Sequence, residues 1–115
     1  MATASQKYLT TAMGEPRYTV TAQASSNFTA AVEHYYRFDS AVGTITITLP
    51  SITADGYTHS IFFNFTTSAS PAVTFSGNGK SIQYYADYSL EASTKYEINA
   101  LFNGSLWIIA WAKID

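Results

Sequence analysis

The chain is 115 residues long, carries six basic against eight acidic side chains for a formal net charge of −2, and has no cysteine. Disulfide staples and thiolate metal sites are therefore excluded, and the six basic residues (Lys7, Arg17, Arg37, Lys80, Lys95, Lys113) never cluster, which speaks against a nucleic-acid partner. No stretch reaches the ~18 apolar residues of a membrane span, and the opening MATASQKYLTTAMG lacks the apolar centre of a signal peptide, so neither membrane insertion nor export is expected.

One domain of this length buries ~65% of the surface of its unfolded chain, enough for a core without staples. Charged residues make up only 12% of the chain and aromatics 16%, nine of them Tyr. A low-charge exterior built from hydroxyls and phenols suits protein or glycan contacts.

Residues 1 to 17 are small and polar, broken by Gly14 and Pro16, with Tyr8, Leu9 and Met13 as apolar points. They read either as a loosely ordered leader or, the reading taken here, as an N-terminal attachment arm, preceding a β domain at 18–115. Arg17 to Ala24 alternates, with Tyr18, Val20 and Ala22 on one side, as a half-buried strand does. Ala24 to Asn27 forms a turn. Val32 to Phe38 alternates again, with Val32, His34, Tyr36 and Phe38 on one face.

The run Gly43-Thr-Ile-Thr-Ile-Thr-Leu-Pro50 points Ile45, Ile47 and Leu49 inward, and Pro50 ends it because it brings no N–H. Asp55-Gly56 turns the chain into Ser60–Thr66, where Ile61, Phe63 and Phe65 share a face and Phe62 hints at burial on both sides. Pro71 restarts the chain, Val73 and Phe75 form a short strand, and Ser76 to Gly79 is a turn. Ser81–Tyr85 and Tyr88–Leu90 are further short strands.

Lys95 to Ile114 reads as a hairpin closed by Asn103-Gly104, because a type I′ turn needs positive φ at both central positions. That turn pairs Phe102 with Ser105, Ala100 with Trp107, Ile98 with Ile109 and Tyr96 with Trp111 on an apolar side, with Trp107 and Trp111 as core anchors. The opposite side carries Leu101, Leu106, Ile108 and Ala110, followed by Ile114, and needs cover, either from other parts of the chain or from a second subunit. Without a helical stretch to join parallel strands, the expected fold is an all-β antiparallel sandwich, jelly-roll-like, of eight or nine short strands.

Chemical motifs are few. Gly79-Lys80-Ser81 ends like a phosphate-binding loop, but Thr74 stands where that loop has its first glycine and no helix follows. His34 and His59 with Asp39 or Asp55 are the one conceivable metal set, and a structural role for both histidines is the expectation. Carboxylate pairs for glycoside cleavage could be drawn from Asp39, Asp55, Asp87 and Glu91, as from any chain with this many acids, and no nucleophile elbow occurs. The chain is therefore expected to be no enzyme and to hold no metal or cofactor. The sequons at Asn27, Asn64 and Asn103 reflect abundant Ser and Thr. Tyr84, Tyr85 and Tyr88 gather at a strand edge and could stack on a sugar face, or pack at a subunit seam with their hydroxyls wet.

The runs Ile45-Thr-Ile-Thr-Leu-Pro50, Phe63-Asn-Phe-Thr-Thr67, Val73-Thr-Phe75 and Tyr96-Glu-Ile-Asn with Phe102-Asn-Gly and Trp107 resemble small β-sandwich modules in structural proteins of tailed bacteriophages, among them capsid decoration proteins, head fibres and tail fibres. The resemblance covers roughly residues 18 to 114. It implies a homotrimer held on the virion by an N-terminal segment, touching other virion proteins such as the capsid lattice, and it supplies no catalytic residues. Fibres usually carry a long shaft before such a module, and the roughly 17 residues here favour a decoration or accessory protein, assembled in the host cytoplasm. A carbohydrate- or receptor-binding module recognising a cell-surface glycan is the alternative.

Overall fold

The computed structural model describes residues 17–114. The expected arm residues Tyr8, Leu9 and Met13 lie outside that range. Among the described residues the protein is all-β, with eight strands: β1 (Thr19–Gln23), β2 (Phe28–Thr29), β3 (His34–Phe38), β4 (Val42–Thr48), β5 (His59–Ser76), β6 (Ile82–Tyr84), β7 (Lys95–Phe102) and β8 (Trp107–Ile114).

The strands form two ladders that share β5. The larger runs β1-β3-β5-β7-β8-β6, and the smaller joins β2 to β4 and β4 to β5. The first half of β5 lies between β3 and β7, with Phe63 opposite both Tyr36 and Ile98, and its second half pairs with β4, Val73 opposite Ile45. Alternation buries one face of each ladder in a single core. Ile45, Ile47, Val73 and Phe75 come from the smaller ladder, and Tyr36, Phe63, Ile98, Trp107 and Ile109 from the larger. Phe28 of β2 meets Tyr36 of β3 with ring centroids 4.9 Å apart. Each such side chain removed from water contributes about 1.5 to 3 kcal/mol.

The expectation of antiparallel strands is corrected. Only β5–β7 and β7–β8 run antiparallel, whereas β1–β3, β2–β4, β3–β5, β4–β5 and β6–β8 are parallel. The reasoning that parallel pairs need a helical crossover overlooked the second ladder. The chain leaves β1, lays down β2 in the smaller ladder, returns as β3, leaves again as β4 and returns as β5, so strands do the crossing.

Four local readings also change. Ser60–Thr66 and the Val73–Phe75 strand are one strand, β5, and Pro71 sits inside it. The ladder slips there: Val42 pairs with Thr67 and Thr44 with Ala72, so the residues around Pro71 bulge out where no donor N–H is required. The bend is pinned by Thr67, the one buried polar residue among those described, whose hydroxyl donates to the Glu91 carbonyl at 2.6 Å and accepts from the Thr94 amide at 2.9 Å. Tyr88–Leu90 is not a strand but a loop. β1 turns its apolar row outward, leaving Val20 63% exposed.

The fourth concerns the terminal ribbon. β7 and β8 pair antiparallel, but with Phe102 opposite Trp107, Ala100 opposite Ile109 and Ile98 opposite Trp111, two residues along from the expected register. Of Asn103 and Gly104 only the glycine has positive φ, 99°, so no type I′ turn forms. Instead the Asn103 side-chain oxygen accepts from the Ser105 and Leu106 amides, at 3.0 Å each, and the Asn103 amide donates to the Leu106 carbonyl at 3.1 Å, making a four-residue loop. A slip of two keeps every side chain on its face. Tyr96, Ile98, Ala100, Phe102, Trp107 and Ile109 are accordingly buried. Trp111, expected as a second core anchor, is only half-buried at the core's edge.

Candidate functional site

The end of β6 creates the most distinctive surface. β6 runs parallel to β8 and stops at Tyr84, opposite Ile109, with the Tyr85 amide donating to the Ile109 carbonyl at 2.9 Å. Strand alternation sends Tyr84 to the core side and Tyr85 to the outside. Tyr84 and Tyr88 then stack, with centroids 4.5 Å apart and planes 16° apart, and Trp111 meets them edge-on at 6.3 and 5.2 Å. The Tyr88 hydroxyl donates to the Val73 carbonyl at 2.8 Å. Burial raises the pKa of both hydroxyls, Tyr88 further than Tyr84.

Of the three tyrosines expected at a glycan platform, Tyr84 and Tyr88 thus serve packing, and Tyr85, 82% exposed, meets solvent. Beside it lies a recess of about 150 Å³ lined by Tyr85, Ala86 and Trp111. A second recess, of about 220 Å³, is lined by Glu97, Asn99, Ala110, Trp111 and Ala112. The two share Trp111.

The second recess lies on the outer face of the larger ladder. Val20, Tyr35, Phe62, Asn99 and Ala110 stand in one cross-strand row, and Tyr18 packs edge-on against Phe62 at 5.3 Å. The Tyr35 hydroxyl lies against both Glu97 oxygens, at 2.8 and 2.7 Å, while Asn99 Nδ2 donates to the Ile61 carbonyl at 3.3 Å. In the next row Leu101 stands opposite Ile108. Of the expected subunit-interface residues, Leu101, Leu106, Ile108 and Ala110 are half-buried, and Ile114 is 39% exposed.

The third cluster surrounds His59 at the start of β5. Its Nδ1 lies 3.2 Å from Glu33 Oε1 and its Nε2 2.9 Å from Asp55 Oδ2. The hydrogen bond to Glu33 is the largest influence on His59 and, joined by the bond to Asp55 and the charge of both carboxylates, raises its pKa against desolvation, while the Tyr57 amide and His59 lower that of Asp55. Glu33 is held at φ 54° by bonds on every side: its amide donates to the Ser60 carbonyl at 2.8 Å, its carbonyl accepts from Thr19, and its Oε2 accepts from the Ser60 amide. With each ring nitrogen facing a carboxylate, His59 has no lone pair left for a metal or a nucleophile. Its chemistry is that of a clamp, fastening the 50–58 loop to the β3–β5 edge.

The structure does not assemble the other expected sets. His34 places Nδ1 2.9 Å from the Val32 carbonyl and stacks on Tyr36. Asp39 pairs with Arg37, and Glu91 with Lys113. Among the described residues no group of three His, Asp or Glu side chains is placed to hold a metal ion, and no helix is long and apolar enough to cross a membrane. The Gly79-Lys80-Ser81 run belongs to a turn closed by the Lys80 amide on the Gly77 carbonyl, followed by a strand. A Cβ on Gly77 would collide with the Lys80 carbonyl, which is the reason a glycine stands there.

No protein-family model matches the chain, and no curated protein matches it. Sequence reasoning missed Glu33 as a partner of His59, Trp111 as a wall of the recess beside Tyr85, and Glu97 and Asn99 as walls of the recess on the outer face. Alternation did put Glu97 and Asn99 on one side of β7. What no local pattern carries is that β6 would pair beside β8 and stop short of Trp111.

Proposed function

We propose that the chain is a non-enzymatic structural protein of a tailed-phage virion. In this reading it is a β-sandwich that self-associates as a homotrimer and attaches through residues 1–17 to other virion proteins such as the capsid lattice. The two ladders sharing β5 and one core are the two layers of the sandwich. Support comes chiefly from one observation. The outer face of the larger ladder presents Val20, Phe62, Leu101, Leu106, Ile108 and Ala110 at intermediate or high exposure on a single chain. An apolar face of this kind, interrupted by Asn99 and the Tyr35–Glu97 bond, marks a protein contact. Symmetry lets identical copies bury it. The resemblance to phage decoration and fibre modules supplies the setting, the virion.

The experiment is mass spectrometry of particles purified by density gradient from the source that encodes the chain. The chain is expected in the particle band at a fixed ratio to the major capsid protein. Finding it only in the soluble fraction overturns the reading.

A further inference from the structure

We propose that the Asn78-Gly79 turn is a self-modification site, at which Asn78 loses its side-chain amide spontaneously and becomes a mixture of aspartate and isoaspartate. The turn carries the chain from β5 to β6 and is closed by the Lys80 amide donating to the Gly77 carbonyl at 3.1 Å. Both central residues have positive φ, 52° at Asn78 and 93° at Gly79, the backbone that an Asn-Gly pair favours in a type I′ turn. Asn78, Gly79 and Lys80 are all exposed. Among the described residues the Asn78 carboxamide and the Gly79 amide have no hydrogen-bond partner. Open space surrounds the Cα of Gly79 where a side chain would stand, so nothing screens its nitrogen from the neighbouring carboxamide or from water.

The reaction needs only these two residues and water. The Gly79 nitrogen attacks Asn78 Cγ, the new N–C bond closes a five-membered imide, and the side-chain nitrogen leaves as ammonia with the proton that the Gly79 nitrogen gives up. Water then opens the ring at either carbonyl, leaving aspartate or, with the main chain rerouted through Cγ, isoaspartate. Attack requires the turn to open locally. At Asn78 that breaks one backbone bond and releases a non-glycine residue from the left-handed region. Asn103-Gly104, the same dipeptide, is held differently: its side-chain oxygen is tied to the Ser105 and Leu106 amides and its own amide to the Leu106 carbonyl, so three bonds restrain it. The two products differ in effect. Aspartate tolerates the turn, whereas isoaspartate lengthens the main chain inside a turn so tight that a Cβ on Gly77 would collide with the Lys80 carbonyl. The next bond along the chain, from the Trp107 amide to the Ser81 carbonyl at 3.0 Å, fastens the start of β6 to β8, so isoaspartate loosens β6.

The test holds the full chain in mildly alkaline buffer at body temperature, beside the same chain unfolded in guanidinium, and follows both asparagines by mass spectrometry of peptides. In the folded chain Asn78 is expected to convert about tenfold faster than Asn103, because two further hydrogen bonds restrain Asn103. In the unfolded chain the two rates are expected to converge. Equal rates in the folded chain, faster conversion of Asn103, or an Asn78 that stays intact while the unfolded chain reacts overturns the proposal. Asn78→Gly, which adopts positive φ freely, should abolish the acidic species that accumulates on isoelectric focusing. Its persistence in that variant places the reaction elsewhere and overturns the assignment. In the purified isoaspartyl form, hydrogen exchange is expected to quicken in β6 and at the Tyr85 amide, which bonds the Ile109 carbonyl; unchanged protection there overturns the loosening of β6. The turn lies off the outer face of the larger ladder, so each of these results leaves the virion reading standing.

Discussion

The Tyr35 hydroxyl on β3 reaches past β5 to both carboxylate oxygens of Glu97 on β7, at 2.8 and 2.7 Å. This bond ties three strands together across the outer face. Burial first, then the hydrogen bond and negative charge of Glu97, push the Tyr35 pKa from 10.0 to about 12.

A phenol whose pKa is higher in the folded state than in the unfolded chain contributes stability that is complete below pH 10 and lost as pH rises from 10 towards 12. Tyr35→Phe should therefore cost about 1 kcal/mol at neutral pH and flatten the loss of stability above pH 10. Spectrophotometric titration of Glu97→Gln should show one tyrosine returning towards its ordinary value. An unchanged tyrosinate profile contradicts the bond.

The His59 clamp makes the neighbouring start of β5 sensitive near neutrality. The imidazolium bonded to Glu33 and Asp55 has a raised pKa, so its contribution is complete below the unfolded value of 6.5 and fades as pH rises through the folded value. Asp55, with a lowered pKa, contributes above 3.8 and loses that contribution as pH falls. Thermal unfolding should thus show a higher Tm at about pH 6 than at about pH 8, with the slope gone in His59→Gln. Hydrogen exchange should show the 50–58 loop opening first on the alkaline side. A flat Tm in the parent protein refutes the clamp.

Trp107 is the largest fully buried side chain, and its indole Nε1 has no hydrogen-bond partner among the described residues. Trp107→Ala should cost about 3 to 5 kcal/mol by cavity formation. Trp107→Phe also removes a buried donor whose lack of a partner costs ~1 to 3 kcal/mol, so it should be the much milder change in urea unfolding. Equal losses for the two would mean that the indole N–H is satisfied.

The parts of this fold written in short-range pattern were legible from the sequence. Ile45, Ile47 and Leu49, then Ile61, Phe63 and Phe65, then Tyr96, Ile98, Ala100 and Phe102 are buried as their alternation requires, because a period of two fixes the face whatever the partner. Partners were not legible. Val20 looked like an inward residue and lies outside, because inside and outside for β1 depend on which ladder it joins. Pro71 looked like a break and sits within a strand, because the bulge opposite Gly43 is a property of two strands together. Asn103 looked like half of a tight turn and instead cups the loop with its side chain, shifting the register by two. The recess beside Tyr85 is of the same kind: Tyr85 was visible as an exposed ring, while Trp111 meets it only through the pairing of β6 with β8.

The account as a whole rests on the outer face of the larger ladder being covered by sister copies. Equilibrium sedimentation of the full chain at micromolar concentration, beside the Leu106→Glu, Ile108→Glu double variant, tests this most directly. The account predicts a parent mass three times the 12.6 kDa of one chain and a folded monomer for the variant. A parent protein that sediments as a single 12.6 kDa species contradicts it.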